Sequence, residues 1–89
     1  MTIEIKKFGE ILTSRPAGRE AYLSAKAYIL PKDENEKIIM DFNGVKVLAP
    51  SWADEFVTKV MFEYQNKVEF LNTENNSIKE TFKILGIAV

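Results

Sequence analysis

An α/β fold is what this sequence predicts: a single domain, 1–89, with a small, mostly parallel sheet, an N-terminal edge strand and about three helices. Three observations carry it. Short apolar runs at 38–42 and 68–71 alternate with longer segments of helical period, and such alternation implies parallel strands joined by crossover helices. The run IIM at 38–40 is continuous, the pattern of a strand buried on both faces. Val45 to Leu48 then leads straight into Pro50-Ser51. A strand, a loop and a helix N-terminus thus follow one another, the arrangement in which open α/β sheets hold their working residues.

Composition narrows the function. The 89 residues leave room for one core. Hydrophobic residues make up 46% and charged residues 28%, an ordinary globular balance that argues against disorder. Lysine and arginine number 12, aspartate and glutamate 13, for a net charge of −1. That balance makes no case for nucleic acid, which needs a concentrated positive surface. Cysteine and histidine are both absent, which removes disulfides, a thiolate nucleophile, the commonest general base and most zinc sites. No segment approaches the ~20 apolar residues of a membrane span, and MTIEIKKFGE lacks the apolar core of a signal peptide. The expectation is a soluble cytoplasmic protein, not an enzyme, with no cofactor or metal.

Taken in order, TIEIK at 2–6 alternates with Ile3 and Ile5 on one face and suits a half-exposed edge strand. Phe8-Gly9 breaks the pattern, and Ile11-Leu12 either continues the strand or packs beneath the next helix. Thr13-Ser14-Arg15-Pro16 marks a helix start, because proline suits the first helical position and restricts the residue before it. Helix 1 is expected over 16–30. At ~100° per residue, Ala17, Ala21, Tyr22, Ala25, Tyr28 and Ile29 form one stripe, with Leu23, Ala27 and Leu30 nearly opposite. Two stripes fit a helix wedged between sheet and neighbour, or one whose Leu23–Leu30 side docks a further chain; self-association stays open. Pro31 and the polar stretch 32–36 end the helix.

The central run turns at Asn43-Gly44. Ser51 is the expected N-cap of helix 2, over 51–65, with Asp54 completing a capping-box-like spacing and Glu55 adding negative charge to the first turn. Trp52, Ala53, Phe56, Val57, Val60 and Tyr64 recur at helical spacing as its inner face. Phe62 falls on the outer side with Glu55, Thr58 and Lys59. The last strand is 68–71. Ser77 to Glu80 has capping-box spacing for helix 3, with Ile78, Phe82 and Leu85 inward and Gly86 as C-terminal cap. The apolar tail 87–89 either packs or adds a short strand.

From Ile38 to Leu85 the pattern resembles the STAS domain, the fold of bacterial anti-sigma-factor antagonists. Those domains run strand, short turn, an Asp-Ser-Ser-Gly-like loop, helix, strand, and a helix ending near Gly-Leu or Gly-Ile. The corresponding segments here are IIMDFNGVKVLAPSWADEF and VEFLNTENNSIKETFKILGI. With FGEILTSRPAG, DFNGV and PSWADEF, the chain is most similar to a compact STAS-like family of bacterial proteins. The resemblance implies a regulatory protein–protein interaction module whose partner is a kinase-like ATPase, a sigma-regulating protein or another signalling domain. In phosphoregulated STAS proteins a partner kinase modifies the second serine of the loop, and Ser51 falls on that position. Ala49, Pro50 and Trp52 stand where that loop has aspartate, the first serine and glycine.

The partner-binding residues expected are therefore Pro50, Ser51, Trp52, Asp54, Glu55 and Phe62. Ser51 is read either as a phosphorylation site or as a plain cap. A phosphate there would meet unpaired backbone N–H groups, while Asp54 and Glu55 would repel it. Arg15 and Arg19, the two arginines, open helix 1. They either tie loops together, Arg15 pairing with Asp41, Asp54 or Glu55, or bind a small anion or nucleotide, which is the alternative function. Adjacent Asp54 and Glu55 point ~100° apart on a helix, a poor start for a magnesium site with Asp41.

Overall fold

The computed structural model describes residues 1–88, the side chain of Asn66 excepted; Val89 of the expected tail lies outside the described residues. Among the described residues five strands form, β1 (Thr2–Glu4), β2 (Ile11–Leu12), β3 (Ile38–Asp41), β4 (Val47–Leu48) and β5 (Val68–Leu71). β1, β3 and β5 make a parallel sheet in that order, and β2 pairs with β4, also in parallel. The N-terminal edge strand forms, but over Thr2–Glu4 rather than 2–6, because a 3-10 turn takes Ile5–Phe8. Ile11-Leu12 belongs to neither expected place: it is a strand of its own. The helices are α1 (Arg15–Tyr28), α2 (Pro50–Ala53), α3 (Lys59–Tyr64) and α4 (Asn76–Leu85). A π-helical turn, Asp54–Thr58, joins α2 to α3, so 50–64 is one rod.

The register sets Ile3, Met40 and Phe70 in one row across the sheet and Thr2, Ile39 and Glu69 in the next. Ile3 and Met40 are fully buried, and Phe70 packs against the core. In the other row Thr2 and Glu69 are exposed and Ile39 is half-buried. The sheet is covered on one face only, which corrects the reading of 38–40 as buried on both sides. A continuous apolar triplet does not separate the two cases when only its middle residue faces out, and among the described residues the second face keeps Thr2 and Glu69 exposed.

The core follows the helical spacing closely. Trp52, Ala53, Phe56, Val57, Val60 and Tyr64 are all buried, and Phe82 of α4 meets Phe42 edge-on at 5.5 Å and Phe70 at 5.0 Å between ring centroids. α1 departs from expectation. It starts at Arg15 because the Ser14 hydroxyl accepts from the Ala17 amide at 3.2 Å. It ends at Tyr28, where the amides of Ile29 and Leu30 both return to the Ala25 carbonyl, at 2.8 and 2.7 Å. That turn folds Leu30 into the core and leaves Leu23 52% exposed, which divides the Leu23–Leu30 stripe.

α4 likewise begins before its expected cap. Asn75 is the N-cap, its Oδ1 accepting from the Ser77 amide at 2.7 Å. Ser77 is used elsewhere: its Oγ accepts from Leu48 N at 2.9 Å and lies 3.3 Å from Leu48 O, to which Thr81 Oγ1 also donates. These hydroxyls satisfy the end of the two-residue strand β4. Gly86 is the left-handed cap at φ 72°, as expected, and Ile87 packs against the core.

Candidate functional site

Because β2 and β4 are paired in parallel, their exits into α1 and α2 lie side by side. Leu12 pairs with Leu48, and the Ala49 amide donates to Leu12 O at 2.8 Å. Two helix N-termini therefore leave neighbouring strand ends. α1 is capped by Ser14. α2 is not capped by Ser51, which corrects that expectation. The N-cap is Ala49, in extended geometry and without a side-chain bond, Pro50 takes the first helical position, and Ser51 follows inside the helix. Proline is pre-organised for the first turn, so it draws the boundary one residue earlier than Ser51. Ser51 is half-buried, and its hydroxyl donates to the Thr13 carbonyl at 3.4 Å, tying one helix start to the other.

α1 and the rod run side by side in the same direction, and charge lines the seam. Arg15 Nη1 donates to Glu55 Oε2 at 2.6 Å and to Asp54 Oδ2 at 3.1 Å. Lys59 Nζ donates to the other oxygen of Glu55 at 2.8 Å and sits 5.3 Å from the Tyr22 ring centroid. Lys26 pairs with Glu63 further along. The Glu55 side chain is only 14% exposed. Lys59 and Arg15 hold its carboxyl below the usual carboxylate range, and the same carboxylates raise the Arg15 guanidinium above its ordinary value. The seam is this tight because of Gly18. A Cβ there would lie 2.6 Å from the Trp52 carbonyl oxygen and 3.0 Å from its Cα.

The expected site residues separate into two groups. Ser51, Asp54 and Glu55 come together at the corner, half-buried, beside Pro50. Trp52 does not join them on the surface. It is 1% exposed, stacked on Phe56 at 5.1 Å and tilted against Phe8 at 6.2 Å, so it presents nothing to a partner. Phe62 points outward and is 82% exposed. Arg15 finds two of its three anticipated partners. The third, Asp41, lies elsewhere, accepting from Asn72 Nδ2 at 2.7 Å and from the Asn43 amide at 2.9 Å, bonds that keep its carboxyl below the usual range. Arg19 stays exposed and lines a shallow cavity of about 270 Å³ with Arg15, Pro16 and Glu20. Gly18 and Lys59 were not legible as site residues. A glycine inside a helical pattern was the one available signal for the close approach.

Residues 26–78 match the family model described as a STAS-like domain of unknown function (DUF4325). The chain belongs to this family. The matched stretch holds β3, β4, the rod and β5, and so includes Ser51 and the exposed Phe62, whereas Arg15 and Gly18 precede the matched residues. No curated protein and no solved structure matches the chain. No helix among the described residues of this STAS-like domain is long and apolar enough to cross a membrane.

Proposed function

We propose that this STAS-like domain is a non-enzymatic regulatory module of the bacterial cytoplasm that binds a protein partner through the outer side of its rod. The contact surface comprises Pro50, Ser51, Asp54, Glu55 and Phe62; Trp52 is excluded by its burial. One observation carries the reading. Phe62 is 82% exposed on a rod whose opposite side is fully buried, and exposed aromatics anchor protein interfaces. The resemblance to STAS regulators supports a kinase-like ATPase or another signalling protein as the partner, with Ser51 as the switch. A phosphate on Ser51 Oγ removes the donor to Thr13 and adds charge one helical turn from Asp54. Such charge loosens the corner.

A photo-crosslinking amino acid placed at Phe62 in the source cell tests this. The expected result is one discrete protein adduct that Ser51→Glu suppresses. No adduct overturns the interaction reading, and an adduct unchanged by Ser51→Glu removes Ser51 from the mechanism. Sensing of a small anion or nucleotide by Arg15 and Arg19 draws less support, since Arg15 is already engaged by two carboxylates that an anion would have to displace.

A further inference from the structure

A groove of about 660 Å³ runs between β2 and α1, floored by Phe8, Leu12 and Trp52. It uses none of the residues proposed above for the rod surface. One wall is a strand edge. In the β2·β4 ladder the carbonyls of Glu10 and Leu12 accept from Val47 and Ala49. A parallel ladder bonds alternate residues, so the N–H and C=O of Ile11 face away from β4, toward the groove side. The other wall is α1, where Ala17, Ala21 and Ser24 are small enough to let a backbone approach. Ile11 is 66% exposed, and its register partner Val47 is also exposed, so an apolar row ends abruptly at the β2 edge. Among the lining residues the one charged side chain is Glu20, which has no ion pair among the described residues.

We propose that β2 is an acceptor strand, and that an extended peptide segment of a partner protein pairs with its free edge against α1. An open strand edge is a template for another strand, and a peptide laid between a strand and a helix is an established recognition geometry. The occupant's chemistry follows from the walls. Its residue beside Ile11 is apolar or β-branched, extending the Ile11–Val47 row, because cross-strand neighbours of that kind pack best. Its inward residue is apolar, over the half-buried Phe8. A lysine or arginine completes it opposite Glu20.

Panning a randomised octapeptide phage library on the immobilised protein tests the proposal. Enriched sequences are expected to alternate apolar residues and to carry a basic one. One such peptide, synthesised and titrated into ¹⁵N-labelled protein, should shift the amides of Ile11, Thr13, Ala21 and Ser24. N-methylating the alternate peptide amides that face β2 should weaken binding at least about tenfold, and methylating the intervening set should not. Glu20→Lys, an exposed substitution compatible with folding, should weaken it by about tenfold. The proposal is overturned if the library yields no enriched sequence, if the shifts map away from the groove, or if methylation of either set makes no difference.

Discussion

Gly18 shows how one missing methyl group sets the distance between two helices. Alanine is the better helix former by about 1 kcal/mol, so helix propensity alone makes Gly18→Ala stabilising. The atom in the way, however, is the Trp52 carbonyl oxygen at 2.6 Å, and backbone cannot swing aside as a side-chain tip can. The helices must separate, at a cost of about 1–3 kcal/mol for overpacking of this kind. Chemical denaturation of Gly18→Ala is expected to show a net loss of stability, and a gain would mean that the seam is looser than described. The same close approach brings Arg15 onto Glu55. At the residue scale, Trp52 carries the opposite lesson. A tryptophan beside a helix N-terminus reads as an exposed recognition residue, yet its spacing with Phe56 and Val60 marks it as core.

At the scale of the element, the rod begins without a side-chain cap, unlike α1 and α4, which have Ser14 and Asn75. Ala49 already has the extended backbone an N-cap needs, φ −89° and ψ 151°. Ala49→Ser is therefore expected to stabilise the protein by about 0.5–2 kcal/mol, and Ser14→Ala to destabilise it by about the same. Urea midpoints of the two variants check the pair. A loss on Ala49→Ser would indicate that the corner has no room for a hydroxyl. Capping rules located all three helix starts to within about two residues, the usual precision at helix ends. They misassigned the caps of the rod and α4, because a serine hydroxyl also serves backbone groups elsewhere, as Ser51 does for Thr13 and Ser77 for Leu48.

Across the whole molecule, the seam of alternating charge joins α1 to the rod over residues 39 and 40 positions apart in the chain, so its contribution depends on the folded state. Glu55 has a lowered pKa, against an ordinary value of 4.5. Its stabilisation is present above about pH 4.5 and is lost as the pH falls through the lowered folded value. The stability difference between the native protein and Glu55→Gln should therefore be largest near neutrality and shrink below pH 4.5. Denaturation measured from pH 7 to pH 3 checks this, and a difference independent of pH would show that Glu55 acts by packing. The one-sided sheet is the other feature of this scale. Its open row, Thr2, Ile39 and Glu69, became visible only once β1 and β5 were set on either side of β3.

Local information in the chain determined the α/β class, the parallel strands, the inner face of the rod and the STAS-like stretch, because periodicity and turn residues act over a few positions. Distant parts of the chain decided the rest. Whether Ser51 caps or ties, whether Trp52 is seen or hidden, and where β2 finds its neighbour depend on atoms that only folding brings within bonding distance.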